Sequence, residues 1–286
     1  MVVQTINTLL QLRATTAALR ASGKRIALVP TMGALHAGHL ALVEEAKRLG
    51  DAVIVSIFVN PAQFGPNEDL DAYPRTLDAD REKLAPLAVD IVWAPTANEV
   101  YPLGFATKIH VDGPSEGYCG SARAGHFDGV ALIVTKLFNQ TGADVACFGE
   151  KDFQQLAVIR RFARDLDMDI NIVGVPIVRD HDGLALSSRN IYLSNEERRA
   201  ALALPHALSA ARDAILAGLA VEAALTTGKA ALLAASFSNV DYFDLADAET
   251  LLPVRALTGR PLRLLAAAKI GKTRLLDNLA VFPAAS

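Results

Sequence analysis

At 286 residues, with 51% apolar and 21% charged side chains, the chain is long enough for two domains or for one large α/β domain with an appendage. That composition excludes a disordered segment, and a formal net charge of −3 argues against a dedicated nucleic-acid binder. No run approaches about 18 uninterrupted apolar residues and no charged leader precedes an apolar stretch, so neither a membrane span nor a secretory signal is expected. Cys119 and Cys147 lie far apart without cysteine neighbours, which argues against a zinc ribbon and points to a reducing cytoplasm.

Taken in chain order, the first 180 residues alternate helical and strand patterns. An opening helix closes at Ser22-Gly23. Arg25–Pro30 reads as a buried strand, and Leu40–Leu49 carries apolar residues at helical spacing up to Gly50. Ala52–Val59 is nearly all apolar and rich in β-branched residues, as a strand covered on both faces requires. A polar loop from Asn60 to Pro74 follows, then a helix leading to a strand at Ile91–Ala94. Phe127–Gln140 and Asp152–Leu166 read as helices, Val145–Gly149 and Ile170–Val178 as strands. This β-α-β order implies a parallel sheet with right-handed crossovers and ligands at the carboxyl ends of its strands. Composition shifts near residue 180. Ser194 and Glu197 form a capping box, alanine-rich helix runs to about Ala235 with breaks around Pro205 and Gly218, and two strands at Val240–Leu245 and Leu262–Ile270 finish a smaller α+β part.

Four clusters fall where chemistry is expected. His36-Ala37-Gly38-His39 sits between a buried strand and an amphipathic helix, so two imidazoles and free N–H groups face whatever binds at the helix start. Asn60 and Gln63 follow the next buried strand, where amides can bond a carboxylate or hydroxyls without adding charge. Gly149-Glu150-Lys151-Asp152 repeats the strand–glycine–helix pattern. Lys151 supplies a point charge for a phosphate, Asp152 can cap the helix or help hold Mg²⁺, and Gln155 lies one turn on. Leu186-Ser187-Ser188-Arg189-Asn190, in the connector, has the groups to clamp a polyphosphate as a closing lid. Gly271-Lys272-Thr273 mimics the end of a P-loop, but Ala266 stands where that motif needs glycine. A metal site on His36 and His39 lacks a local third ligand, and His110, His181 and His206 read as structural or solvated. Arg123 and His126, before a predicted helix, are richer in anion-binding character.

In this order the clusters resemble the pantoate–β-alanine ligase family, within the H-x-G-H nucleotidylyltransferase superfamily. The resemblance rests on Pro30 to His39, Phe58 to Phe64, Asp71 to Arg75, Gly125 to Val130, Gly149 to Gln155, Leu186 to Asn190 and Lys269 to Asn278. One departure is Ala37, where many members carry glutamate. The resemblance implies an α/β fold: a Rossmann-like doubly wound parallel sheet binding nucleotide and pantoate over 1–177, with a C-terminal α+β lid over 178–286. It implies that ATP, with Mg²⁺, activates (R)-pantoate as an adenylate that β-alanine then converts to pantothenate, in a cytoplasmic homodimer.

Carried over by residue, the resemblance makes His36, His39 and Lys151 catalytic, with His39 the proton donor. ATP is expected on Met32, Gly33, Ala34, Leu35, His36, Ala37, Gly38 and His39, on Gly149, Glu150, Lys151 and Asp152, and on Val178, Leu186, Ser187, Ser188 and Arg189. Pantoate is expected on Gln63 and Gln155 with Asn60 nearby, β-alanine on Gln63, Mg²⁺ on Asp80, and Arg123 is expected near the second substrate. Two alternatives stay open at this point: a nucleotidylyltransferase acting on a phosphorylated acceptor, and a non-catalytic nucleotide sensor. Amides rather than extra cations at the acceptor end speak against the first. Retention of His39, Lys151 and Arg189 speaks against the second.

Overall fold

The computed structural model describes residues 3–66, 68 and 70–281. Its strands are β1 (Gln4–Ile6), β2 (Ile26–Thr31), β3 (Ala52–Ile57), β4 (Ile91–Trp93), β5 (Val145–Gly149), β6 (Asn171–Val175), β7 (Asn239–Asp247), β8 (Leu262–Ile270) and β9 (Thr273–Ala280). Its α-helices are α1 (Leu9–Ala21), α2 (Ala37–Leu49), α3 (Leu77–Leu84), α4 (Ala97–Val100), α5 (Tyr118–Ala122), α6 (His126–Thr141), α7 (Phe153–Asp165), α8 (Asn195–Ala200), α9 (Ala203–Leu216) and α10 (Val221–Ala234).

The first six strands form one parallel sheet in the order β1-β4-β3-β2-β5-β6. Strand alternation explains its two cores. Ile26, Leu28, Ile54, Ile91 and Trp93 face one side, with α1, α6 and α7 residues such as Leu12, Val130 and Ile159. Ala27, Val29, Val53, Val55 and Val92 face the other, with Leu42, Val43 and Ala46 of α2 and Leu84 of α3. Both faces are covered, so the strands need apolar residues at nearly every position, which is why Ala52–Ile57, with Ser56 the exception, reads as a nearly continuous run. From β2 the chain winds outward through β3 and β4, then returns to place β5 on the opposite side of β2. The carboxyl ends of β2 and β5 therefore flank the switch point, where such sheets leave a crevice.

The antiparallel sheet β7-β8-β9 forms the smaller part. Its Phe243, Leu245, Leu264, Ala266 and Ala268 pack under α9 and α10, while Tyr242, Ala246, Leu265 and Ala267 join the core that includes α6 and α7. Strand β8 is thus covered on both faces, and alanine lets the layers approach closely. The smaller sheet has one more strand than expected. The segment Gly271-Lys272, discounted as a P-loop, is the turn between β8 and β9. Strand β1 also escapes a sequence reading, because three residues become a strand only by pairing with β4. Among the described residues no helix is long and apolar enough to cross a membrane.

Candidate active site

The turn after β2 is closed by its own groups. Gly33 has φ +83° and Ala34 φ +50°, successive left-handed residues that point neighbouring N–H groups to one side. The anion they receive belongs to the protein: Asp80 of α3, fully buried, accepts from Ala34 N at 2.9 Å and Leu35 N at 2.7 Å, and Thr76 Oγ1 lies 3.1 Å away. Gly33 N–H bonds Thr31 Oγ1. Asp80 therefore braces the turn and is not placed to bind Mg²⁺, correcting that expectation. From this turn the cavity wall takes Met32, His36, Gly38 and His39.

What the turn presents to the cavity is the histidine pair. His36 caps α2 by accepting from Gly38 N at 3.1 Å through Nδ1, and His39 Nδ1 accepts from His36 N at 3.3 Å, a capping box made of imidazoles. With each Nδ1 an acceptor, each neutral ring carries its proton on Nε2, leaving that N–H as the donor for a ligand. Burial, then the neighbouring imidazole and Lys151, push the His36 pKa down to about 3; burial, then Lys151, push that of His39 to about 4. At neutral pH both rings are uncharged. His39 thus offers a hydrogen bond through its Nε2–H in this state.

The acceptor side is built where the 3₁₀ turn Pro61–Gln63 lies on α6. A β-carbon at Gly129 would sit 2.2 Å from the Ala62 carbonyl oxygen, so only glycine permits this approach. Asn60 is buried and its amide is fully used: Nδ2 donates to Gln63 Oε1 and to the Gly129 carbonyl, each at 3.1 Å, and Oδ1 accepts from Tyr101 Oη and Ala62 N. Asn60 therefore orients Gln63 at the cavity wall with its amide saturated by protein partners. Among the described residues Gln63 Nε2 has only the weak acceptor Met32 Sδ, at 3.2 Å. Gln155 faces the same cavity with no hydrogen bond to the described residues. Between the two amides runs an apolar wall of Phe58, Val130, Ile133, Val134, Leu137 and Phe148. Tyr101 and this wall escaped the sequence reading; the signal was α6, apolar nearly all round and hence buried on every side.

The turn after β5 is held from the C-terminal sheet. Asn278 Nδ2 donates to the carbonyls of Glu150 and Lys151, each at 2.9 Å. The Glu150 carboxylate pairs with Arg263 at 2.8 Å, so Glu150 ties the two sheets and does not line the cavity. Lys151 does, 3.6 Å from Asp152. Burial opposes ionisation of Asp152, but Lys151, Arg189, His126 and Arg123 together outweigh it and lower its pKa. Ser187 caps the 3₁₀ turn Ser188–Tyr192, Ser188 lies 3.4 Å from Tyr73 Oη, the Arg189 guanidinium stands 5.8 Å from the Tyr73 ring, and Tyr192 bonds the Ala72 carbonyl. The connector is thereby seated on the 71–73 segment.

One cavity of about 230 Å³ joins these parts. It brings together Met32, His36, Gly38 and His39, Asn60 and Gln63, Gly149, Lys151, Asp152 and Gln155, and Val178 with Leu186 to Arg189. Arg123 and His126 line it too, but Arg123 is held by Glu68 in a two-point ion pair, so the acceptor end carries no spare cation from it. Among the described residues no three His, Cys, Asp or Glu side chains cluster as a metal site.

A family model described as "Pantoate-beta-alanine ligase" matches residues 4–280. The chain is 58% identical to pantothenate synthetase of Rhizorhabdus wittichii, over 99% of this chain and 100% of that one. It is 56% identical to that of Novosphingobium aromaticivorans, over 98% and 100%. The structure of pantothenate synthetase from Thermus thermophilus superimposes with a TM-score of 0.92 at 46% identity, covering 98% and 100%. Pantoate-beta-alanine ligase from Francisella tularensis, complexed with "Beta-gamma ATP and Beta-alanine", gives 0.81 at 32% identity, covering 98% of each chain. From residue 4 to residue 280, this chain belongs to the pantoate–β-alanine ligase family.

Proposed function

We propose that the cavity condenses (R)-pantoate with β-alanine in two half-reactions driven by ATP. In the first, the pantoate carboxylate attacks the α-phosphorus of ATP and pyrophosphate leaves. In the second, the β-alanine amine attacks the carbonyl of pantoyl adenylate, giving pantothenate and AMP. The observation that carries this reading is the pairing within one cavity of a phosphate-facing set, His36, His39 and Lys151, with an apolar wall bounded by two neutral amides. The wall suits the gem-dimethyl carbon of pantoate, and Gln63 and Gln155 suit its carboxylate and hydroxyls. A phosphorylated acceptor fits poorly, since Arg123 is already neutralised by Glu68.

The residues act mainly by position and charge. Lys151 offsets negative charge at the α-phosphate, and the two Nε2–H groups hydrogen-bond phosphate oxygens without adding a proton that must later be removed. Ser187, Ser188 and Arg189 hold the distal phosphates from the connector, and the Met32, Gly149, Val178 and Leu186 segments bound the nucleotide. Once pyrophosphate has left, Gln63 remains to orient β-alanine. The apolar wall keeps water from the adenylate. Asp152 is the residue that would hold a Mg²⁺ ion arriving with the phosphates, and the ion would neutralise phosphate charge. The division at 177/178, a cytoplasmic location and a homodimeric assembly belong to the same reading. The composition shift near 180 and two buried free cysteines support the first two, and family membership supports the third.

Exchange of labelled pyrophosphate into ATP tests the function. Exchange must require pantoate, and AMP release must then require β-alanine. Lys151→Ala should slow exchange about 10²–10³-fold while the melting temperature holds. Exchange without pantoate, or activity lost only in step with folded protein, refutes the assignment.

A further inference from the structure

We infer that Glu68, Arg123 and His126 form a relay that positions the acceptor amide of Gln63, with Glu68 the residue that sets it. This rests on the reading of Gln63 as a pantoate contact. The relay joins two short stretches of chain, Gln63 with Glu68 and Arg123 with His126, that are 55 to 63 residues apart across their contacts. Glu68 Oε1 and Oε2 accept from Arg123 Nε and Nη2 at 2.7 and 2.6 Å. Arg123 Nη1 donates to His126 Nε2 at 2.8 Å, and His126 Nδ1 donates to the Gln63 carbonyl at 2.9 Å. Donor and acceptor roles are settled by the ends, because a guanidinium only donates and a carbonyl only accepts. His126 must then be neutral with its proton on Nδ1, in accord with its burial.

The geometry gives each member one task. Gln63 is fixed at its side chain by Asn60 and at its backbone by His126, while Gly129 lets the turn lie flat on α6. His126 is the first residue of α6, so its ring is anchored by a helix whose interior is buried core. Arg123 precedes that helix and would, without Glu68, be a half-buried cation at the acceptor end, competing with Gln63 for the pantoate carboxylate. Glu68 both neutralises that cation and orients its third nitrogen at His126. Phe64 and Tyr73 line the cavity, and the ion pair ties Glu68, which lies between them in the chain, to Arg123 at the start of α6. Arg123 and Glu68 are thus positioning residues that act through Gln63.

Glu68→Gln, Arg123→Gln and the double variant test this in the full-length enzyme. The KM for pantoate should rise about tenfold in each single variant, with the KM for ATP and the melting temperature little changed, and the double variant should be no worse than the worse single one. A KM for ATP that rises as much as that for pantoate, or single effects that multiply in the double variant, overturns the relay. Imidazole ¹⁵N NMR without substrates separates this from the acceptor assignment. In the wild type His126 should report a neutral ring protonated on Nδ1, and Glu68→Gln should move its Nε2 signal. A His126 signal that does not change in Glu68→Gln overturns the relay whichever acid the enzyme adenylates.

Discussion

The turns after β2 and β5 lie side by side at the switch point of one sheet, have the same strand–glycine–helix sequence pattern, and are held in opposite ways. The β2 turn is closed by local groups, the reciprocal His36–His39 cap, with one distant carboxylate filling its nest of N–H groups. The β5 turn has no side-chain cap on α7; Asp152 stands at that position without making the bond, and the carbonyls of Glu150 and Lys151 are held by Asn278 of the C-terminal sheet. A locally closed turn presents rigid neutral donors. A turn held from across the molecule places a charged lysine according to how the two sheets sit together.

The sharpest way to break the comparison is to open the nest. Asp80→Ala leaves the partly buried N–H of Ala34 and the buried N–H of Leu35 unpaired, each costing about 1–3 kcal/mol, so denaturant titration should show a loss of roughly 2–6 kcal/mol. Were Asp80 instead a metal ligand, the loss would appear as a raised Mg²⁺ requirement in an enzyme of unchanged stability. Next comes the externally held turn. Asn278→Ala frees two carbonyls and should slow pyrophosphate exchange about tenfold while costing only about 1 kcal/mol of stability. Exchange at the wild-type rate would mean that Lys151 needs no help from the second sheet.

A third effect is one of pH. His36 and His39 have pKa values lowered by burial to about 3 and 4, so between pH 6.5 and those values the unfolded chain binds protons that the fold refuses. Their contribution to stability is intact above pH 6.5 and drains away as pH falls toward 4. His126, lowered to about 4 by burial and Arg123, acts in the same direction. Replacing His39 by Asn should therefore shrink the stability difference between pH 7.5 and pH 5 by roughly 1–2 kcal/mol in urea titrations. An undiminished difference would show that the imidazole is not held neutral by the fold.

The parallel sheet, the order of its helices and the His36–His39 cap were all legible as local pattern, since strand burial and helix capping act over a few residues. Gln63 and Gln155 were legible as neutral amides after buried elements. The role of Asn60 was not, because a buried amide can face a ligand or saturate itself within the protein, and only the positions of Gly129, Tyr101 and Gln63 decide which. Asp80 misled for a related reason. An acid in the first turn of a helix looks free in sequence, whereas here it lies under backbone N–H groups 45 and 46 residues away.

By itself, then, the sequence determined the two-layered winding about a parallel sheet, the apolar strands, the helix starts that favour phosphate, and the chemistry of the residues beside them, because each of these depends on neighbours in the chain. Only the tertiary structure decided which of those residues face the cavity and which brace it. Asp80, Asn60 and Glu150 turned inward, Asn278 came to hold Lys151, and Glu68 reached Arg123, because hydrogen-bond partners of a buried polar group are found in space and not along the chain.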